Sequence, residues 1–181
     1  GLGDVYKRQT PLVGTLAYIL DNQTDQVLLI RRNSRLDDDH FGKVNGLGGK
    51  VERNEHVLSG IDREILEEAG VEVLSKELRG VITWTDFGPN REDWLGFIFL
   101  ITEWSGLPKT LNDEGSLEWV SKQRILSACS PDLDIRQKAV LPLWEGDRLF
   151  LPMVFDADPR VFFGVMPYDG ESFVSWDFGR L

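Results

Sequence analysis

Three carboxylates, Glu64, Glu67 and Glu68, stand three and four positions apart on a stretch where Val57, Ile61 and Ile65 recur every fourth residue. That periodicity predicts a helix from about Glu55 to Ala69. Leu58 would join the apolar face, Asn54 would cap the start and Gly70 would stop the end. At roughly 100° per residue the three acids fall within an arc of about 100°. Like charges at this spacing destabilise a helix by a few tenths of a kcal/mol per pair, and the negative end of the helix dipole adds to the cost. Arg63, four residues before Glu67, offsets only part of it. A solvated acidic face is the plain reading of such a run. The other reading is a bound cation. Oxygen donors without histidine or cysteine suit Mg²⁺, or Mn²⁺ in its place.

These acids need elements to hold them. Val44-Asn45-Gly46-Leu47-Gly48-Gly49-Lys50-Val51 comes just before the helix, and its glycines call for positive φ or close backbone approach. Leu12 to Leu20 and Val27 to Ile30 read as two strands of a hairpin around Asp21-Asn22-Gln23-Thr24-Asp25. Arg31 to Gly42 reads as a loop. Further strands are expected within Val71 to Thr85, centrally at Trp94 to Trp104, and at Ser116 to Val120, with a turn at Gly88-Pro89-Asn90. Lys122 to Ala128 and Asp134 to Leu141 read as helices. Arg148 to Phe155 is open between helix and strand, with Pro152 inside it. Val161 to Val165 and Ser172 to Phe178 flank Tyr168-Asp169-Gly170 as a terminal hairpin. Hairpins mixed with a few helices argue one α/β domain, its helices covering a mixed sheet.

Composition bounds the rest. Hydrophobic residues make up 41% and charged residues 28% of 181, which suits one globular domain. No apolar run approaches the ~20 residues that span a bilayer. The single cysteine, Cys129, excludes an internal disulfide and a cysteine-based zinc site; with no secretory pattern at the start, a reducing cytoplasm is the expected setting. The net charge of -10, from 30 acids against 20 bases, repels duplex nucleic acid but leaves room for a small phosphorylated ligand. Residues 1–9 fit neither periodic pattern and resemble a translated sequencing adapter. They are expected to be a non-native or disordered extension to a domain of residues 10–181. His40 and His56 are expected to face solvent.

From Gly49 to Val71 the chain reads Gly49, five residues, Glu55, seven residues, Arg63-Glu64-Ile65, Leu66, Glu67-Glu68, Ala69, Gly70-Val71. This resembles the Nudix box at every specified position. The resemblance implies an α/β/α sandwich with a mixed sheet. It also implies hydrolysis of a nucleoside diphosphate linked to another group. Glu64, Glu67 and Glu68, with a backbone carbonyl near Gly49, would bind the metal; Arg63 and Glu55 would orient the acids; one of the three glutamates would deprotonate the attacking water.

The stretch around Asn45 further resembles the MutT-like enzymes that hydrolyse oxidised purine nucleoside triphosphates. On that likeness Asn45 would contact the base, with Lys50 and Arg32 also at the substrate. Asn112-Asp113-Glu114-Gly115 would supply Glu114 as a further metal ligand. Trp144 would stack on the base and Asp147 would bind its edge, although Gly146 stands where the likeness expects a second acid. The implied reaction is 8-oxo-dGTP to 8-oxo-dGMP and pyrophosphate, by a monomer or homodimer. ADP-ribose, dinucleoside polyphosphates and RNA 5′ ends are the alternatives. The proline or tyrosine that marks many ADP-ribose or dinucleoside polyphosphate enzymes beyond the box is absent from Thr85-Asp86-Phe87-Gly88. A non-catalytic nucleotide sensor would more often carry a degraded box.

Overall fold

The computed structural model describes residues 10–181, so the opening expected to be an extension lies outside the described residues. The chain forms β1 (Leu12–Asp21), β2 (Gln26–Arg31), β3 (Val44–Asn45), β4 (Leu47–Lys50), α1 (Val57–Ala69), β5 (Glu72–Phe87) and β6 (Glu92–Ser105). It continues through β7 (Ser116–Ser121), α2 (Lys122–Ala128), α3 (Leu133–Ala139), α4 (Asp147–Phe155), β8 (Phe162–Gly170), β9 (Ser172–Phe173) and β10 (Asp177–Arg180).

The sheet runs β10-β8-β5-β6-β1-β2-β3, with β4 also on β1, β7 on β2 and β9 on β8. β1 pairs with β6 and β5 with β8 in parallel, while β1 with β2 and β5 with β6 are antiparallel, so the sheet is mixed as expected. Strand alternation divides the core into two layers. Ala17 and Ile19 of β1, Leu28 and Ile30 of β2, and Phe99 and Ile101 of β6 pack on Ile61, Ile65 and Ala69 of α1. Tyr18, Leu20, Val27, Leu29 and Ile98 point the other way, against Ile125 of α2 and Phe150, Leu151 and Val154 of α4. Residues 27–30 therefore read as a continuous apolar run because their strand is covered on both faces. This is the α/β/α sandwich. Among the described residues no helix is long and apolar enough to cross a membrane.

Three local expectations change and one open reading is decided. The N-cap of α1 is His56, whose Nδ1 accepts from the Ser59 N–H at 3.2 Å. Asn54 instead takes a left-handed φ of 66°, a turn role that asparagine tolerates. Leu58 is 51% exposed, because the buried stripe of α1 is the narrower set Gly60, Ile61, Ile65 and Ala69. The stretch left open between helix and strand is the helix α4, with Pro152 inside it. The terminal hairpin turns at Gly170–Glu171, one step later than expected, so Tyr168 and Asp169 pair with Phe173 and Ser172.

Arg79 anchors α4 in a way its sequence neighbours do not advertise. Only 3% exposed, it donates to the carbonyls of Met153, Val154, Asp156 and Asp158 and to the Asp156 carboxylate. The last carbonyls of a helix have no partner within it. One guanidinium supplies that partner here.

Candidate active site

β4 runs antiparallel to β1, pairing Leu16 with Gly48 and Thr15 with Gly49, and so brings the glycine segment against the side of α1 that carries the acids. Gly48 sits at φ +150°, and a Cβ there would strike the Thr15 carbonyl. Its N–H donates to Glu68 Oε2 at 3.3 Å. A Cβ on Gly49 would stand 2.6 Å from Glu64 Oε1. The two glycines thus differ in kind. Gly48→Ala should cost roughly 2–4 kcal/mol in a urea titration, since backbone meets backbone at a forbidden φ. Gly49→Ala should leave stability within about 1 kcal/mol, because only the end of a glutamate must move, yet displace that carboxylate and reduce turnover at least about tenfold. Equal losses of stability in the two variants would contradict this division.

Arg63 is the hub of the acids. Its Nε and Nη2 donate to Glu55 Oε2 and Oε1 at 2.8 and 3.0 Å, its Nη1 to Glu64 Oε1 at 2.9 Å and Glu67 Oε2 at 3.3 Å, and its Nη2 to the Lys50 carbonyl at 3.1 Å. The hydrogen bonds from Arg63 and from the Glu52 N–H hold Glu55 down to about 2. Burial raises the Glu64 carboxyl despite Arg63. Burial, then the charges of Glu114 and Glu64, push Glu68 up to about 9. Asn112 ties the two segments together: its Nδ2 donates to the Glu68 carbonyl, and its Oδ1 accepts from the N–H groups of Glu114 and Gly115.

Among the described residues no three of these groups converge as a finished metal cage. The physical reason is visible: Arg63 stands between Glu64 and Glu67, Glu114 pairs with Arg32 Nη1 at 2.7 Å, and Glu67 is 59% exposed. The chemistry of the donors still fits a hard divalent cation. They are all oxygen, and at buried Glu68 the charges of Glu114 and Glu64 outweigh that of Arg32.

A cavity of about 460 Å³ opens beside the glycine segment. Gly48, Gly49 and Lys50 line it together with Asn45, Trp144 and Asp147, so residues assigned to substrate from sequence come together. Arg32 lines it as well, held by Asp38 at 2.6 Å and by Glu114. Asn45 Nδ2 is buried without a hydrogen-bond partner among the described residues. Asp147 is buried at the start of α4, and that burial pushes its carboxyl up to about 7, with Lys43 pulling the other way. Trp144 is 6% exposed and packs on Phe87 and Tyr168.

Gly146 departs from the family pattern where space is tight: a Cβ there would meet Met166 Sδ and approach the Tyr168 hydroxyl to 2.7 Å, so an acid would require both side chains to shift. The Gly146 N–H donates to that hydroxyl at 3.0 Å. Sequence reading missed Trp84, Phe87, Trp94 and His40 as cavity residues. Trp84 and Trp94 could have been found by their register, since they pair across β5 and β6 with Gly96 and Gly14 leaving room for their rings. His40, expected in solvent, instead accepts a hydrogen bond from Trp144 Nε1 at 2.8 Å. His56 is exposed, as expected.

A model of the NUDIX domain matches residues 10–143. The chain belongs to the Nudix family, whose members hydrolyse a nucleoside diphosphate linked to another group. It is similar to a MutT protein of Bacillus halodurans, at 28% identity and a TM-score of 0.74, over 92% of this chain and 97% of that one. A MutT Nudix hydrolase of Burkholderia pseudomallei matches at 30% identity and a TM-score of 0.61, over 80% and 98%. The uncharacterized Nudix hydrolase YvcI of Bacillus subtilis is 31% identical over 97 residues, 52% of this chain. The chain spans 58% of the length of that relative.

Proposed function

We propose that the protein is a Mg²⁺-dependent nucleoside triphosphate pyrophosphohydrolase whose preferred substrate is an oxidised purine triphosphate such as 8-oxo-dGTP. The observation that carries this reading is that one cavity is lined both by Asn45, whose buried Nδ2 has no partner among the described residues, and by the buried carboxyl of Asp147. Asn45 offers an unpartnered amide and Asp147 a carboxyl that burial holds at about 7. An amide that both donates and accepts, beside a carboxyl that can do either, suits the edge of a purine. The likeness to MutT proteins supports the same class.

On this reading Glu64, Glu67, Glu68 and Glu114, with the carbonyl near Gly49, would hold the cation, which when bound polarises phosphoryl oxygens and offsets their charge. Arg63, fixed by Glu55, sets the directions of Glu64 and Glu67. Glu67 is the box acid open to water. It takes the proton as water oxygen bonds to phosphorus, the anhydride P–O bond breaks and pyrophosphate leaves. Trp144 forms an apolar wall for the base, and Lys50 and Arg32 add positive charge at the cavity. The enzyme would act on free nucleotides in the cytoplasm, as a monomer or homodimer, since a net charge of -10 opposes duplex nucleic acid.

The test is a panel of 8-oxo-dGTP, dGTP, 2-oxo-dATP, ADP-ribose and diadenosine tetraphosphate with Mg²⁺, compared by kcat/KM. A preference for an oxidised purine triphosphate is expected, and a preference for ADP-ribose would remove the substrate assignment. The Asp147 carboxyl is raised, so it is protonated below about pH 7 and ionised above. A guanine-type edge presents N–H donors, which the ionised form accepts. KM should therefore fall as pH rises through about 7 and flatten in Asp147→Asn. An unchanged pH profile in that variant would remove Asp147 from the base contact.

A further inference from the structure

We infer that His40 is a positioning residue for the nucleotide pocket, holding the Trp144 indole through its N–H. The inference rests on reading the cavity as the seat of the substrate. It concerns the connection between β2 and β3, which the box does not contain.

Trp144 Nε1 donates to His40 Nδ1 at 2.8 Å, and the two rings meet edge to face with centroids 5.4 Å apart. An indole N–H can only donate, so this bond requires a bare Nδ1. The neutral ring then carries its proton on Nε2. His40 is itself fixed. Its backbone N–H donates to Asp38 Oδ1 at 3.0 Å, and Asp38 Oδ2 accepts from Arg32 Nε at 2.6 Å. Arg32 reaches on to Glu114 beside the box. Phe87 packs on Trp144 with centroids 5.0 Å apart, and Lys43 Nζ lies 5.3 Å from the Trp144 ring centroid. The indole is therefore pinned on its faces by packing and at its polar edge by one acceptor.

That acceptor decides the orientation. Packing alone lets a ring rotate in its plane or leave its N–H unsatisfied in a buried wall, and a buried unsatisfied donor is costly. The neutral imidazole removes both options. Burial and the Arg32 charge hold His40 below its usual value, against Asp38 and Asp39, which keeps Nδ1 free to accept. Asp147 lines the same cavity and titrates there as well, with the charge of Lys43 acting on it. A pH profile alone would therefore mix two groups, and the test uses substitutions instead.

His40→Phe keeps a ring and removes the acceptor. His40→Asn places an amide oxygen near the position of Nδ1 and restores it. In ¹H–¹⁵N spectra the Trp144 indole N–H, assigned with Trp144→Phe, should move upfield in His40→Phe and return towards its native position in His40→Asn. With the best substrate of the panel above, His40→Phe should raise KM about fivefold while kcat changes less than twofold, and His40→Asn should recover most of the loss. An indole signal that ignores His40→Phe, or equal KM values in the two variants, overturns the inference. If wild type turns over no purine triphosphate, the substrate reading fails. The indole signal with and without 8-oxo-dGMP then decides the role of His40 by itself: a shift in wild type that is lost in His40→Phe and kept in His40→Asn supports it, and any other pattern sinks it.

Discussion

Glu68→Gln lowers kcat by about 10²–10⁴-fold while making the metal-free protein more stable. The two effects share one origin. Burial and the charges of Glu114 and Glu64 raise the Glu68 carboxyl to about 9. A carboxyl raised on folding contributes stability that is present below its unfolded value and lost as pH rises towards the folded one. The loss therefore falls between the usual glutamate range and about pH 9, and an assay at pH 8 lies inside it. Glutamine keeps the shape, keeps an oxygen to accept from the Gly48 N–H and carries no charge. The thermal midpoint of the variant without metal should rise by a few degrees, with the gap over wild type widening from pH 5 to pH 8. Mg²⁺ should raise the midpoint of wild type more than that of the variant, because a cation favours the charged carboxylate. A variant that keeps wild-type turnover, or that loses activity and stability together, would remove Glu68 from the metal-binding acids.

Arg79→Met is the largest expected loss of stability. Methionine has similar length and no donor. The carbonyls of Met153, Val154, Asp156 and Asp158 then lose the group that serves them all, and the Asp156 carboxylate loses one of its two arginines, keeping Arg180. Roughly 3–5 kcal/mol should disappear from a urea titration, at the upper end for one buried charged partner. Arg79→Lys should recover little, since one ammonium cannot reproduce the planar fork that reaches these acceptors. Turnover per folded molecule should survive at low temperature, because the end of α4 at Asp147 is held separately by packing on the cavity side. A loss below about 1 kcal/mol would mean that solvent or Arg180 can replace the guanidinium.

The box acids and the layers around them were legible because their signals are local. Glu64, Glu67 and Glu68 share a helix face by spacing alone, and Ile61 and Ile65 identify the buried stripe that borders it in the same window. Gly70 stops α1 at φ 72°, where glycine is free to go. β1, β2 and α2 were readable for the same reason. α4 was not, because a nine-residue apolar stretch with an internal proline satisfies neither period cleanly. The carbonyls at its end are met by Arg79, some seventy residues away, and its apolar side packs on β1 and β6 side chains. Leu58 misled because three or four apolar residues define a stripe only once its partner surface is known.

The cavity divides in the same way. Asn45, Trp144 and Asp147 carried a family pattern that sequence could display, but the burial of Trp144 and Asp147, the unsatisfied amide and the raised carboxyl exist only in the folded cavity. Gly146 read as a missing acid, and the reason for a small residue there appeared once Met166 and Tyr168 were seen against it. His40 read as a surface histidine because nothing within its own loop pairs with its ring; the partner lies 104 positions away on the chain. Sequence by itself determined the helix of acids, the glycine segment before it and a mixed α/β domain, since each follows from spacing within one turn or one strand, while the sandwich was implied by the family resemblance. The tertiary structure alone decided which side chains lose water and which polar atoms find partners, because desolvation depends on neighbours that the order of residues does not name.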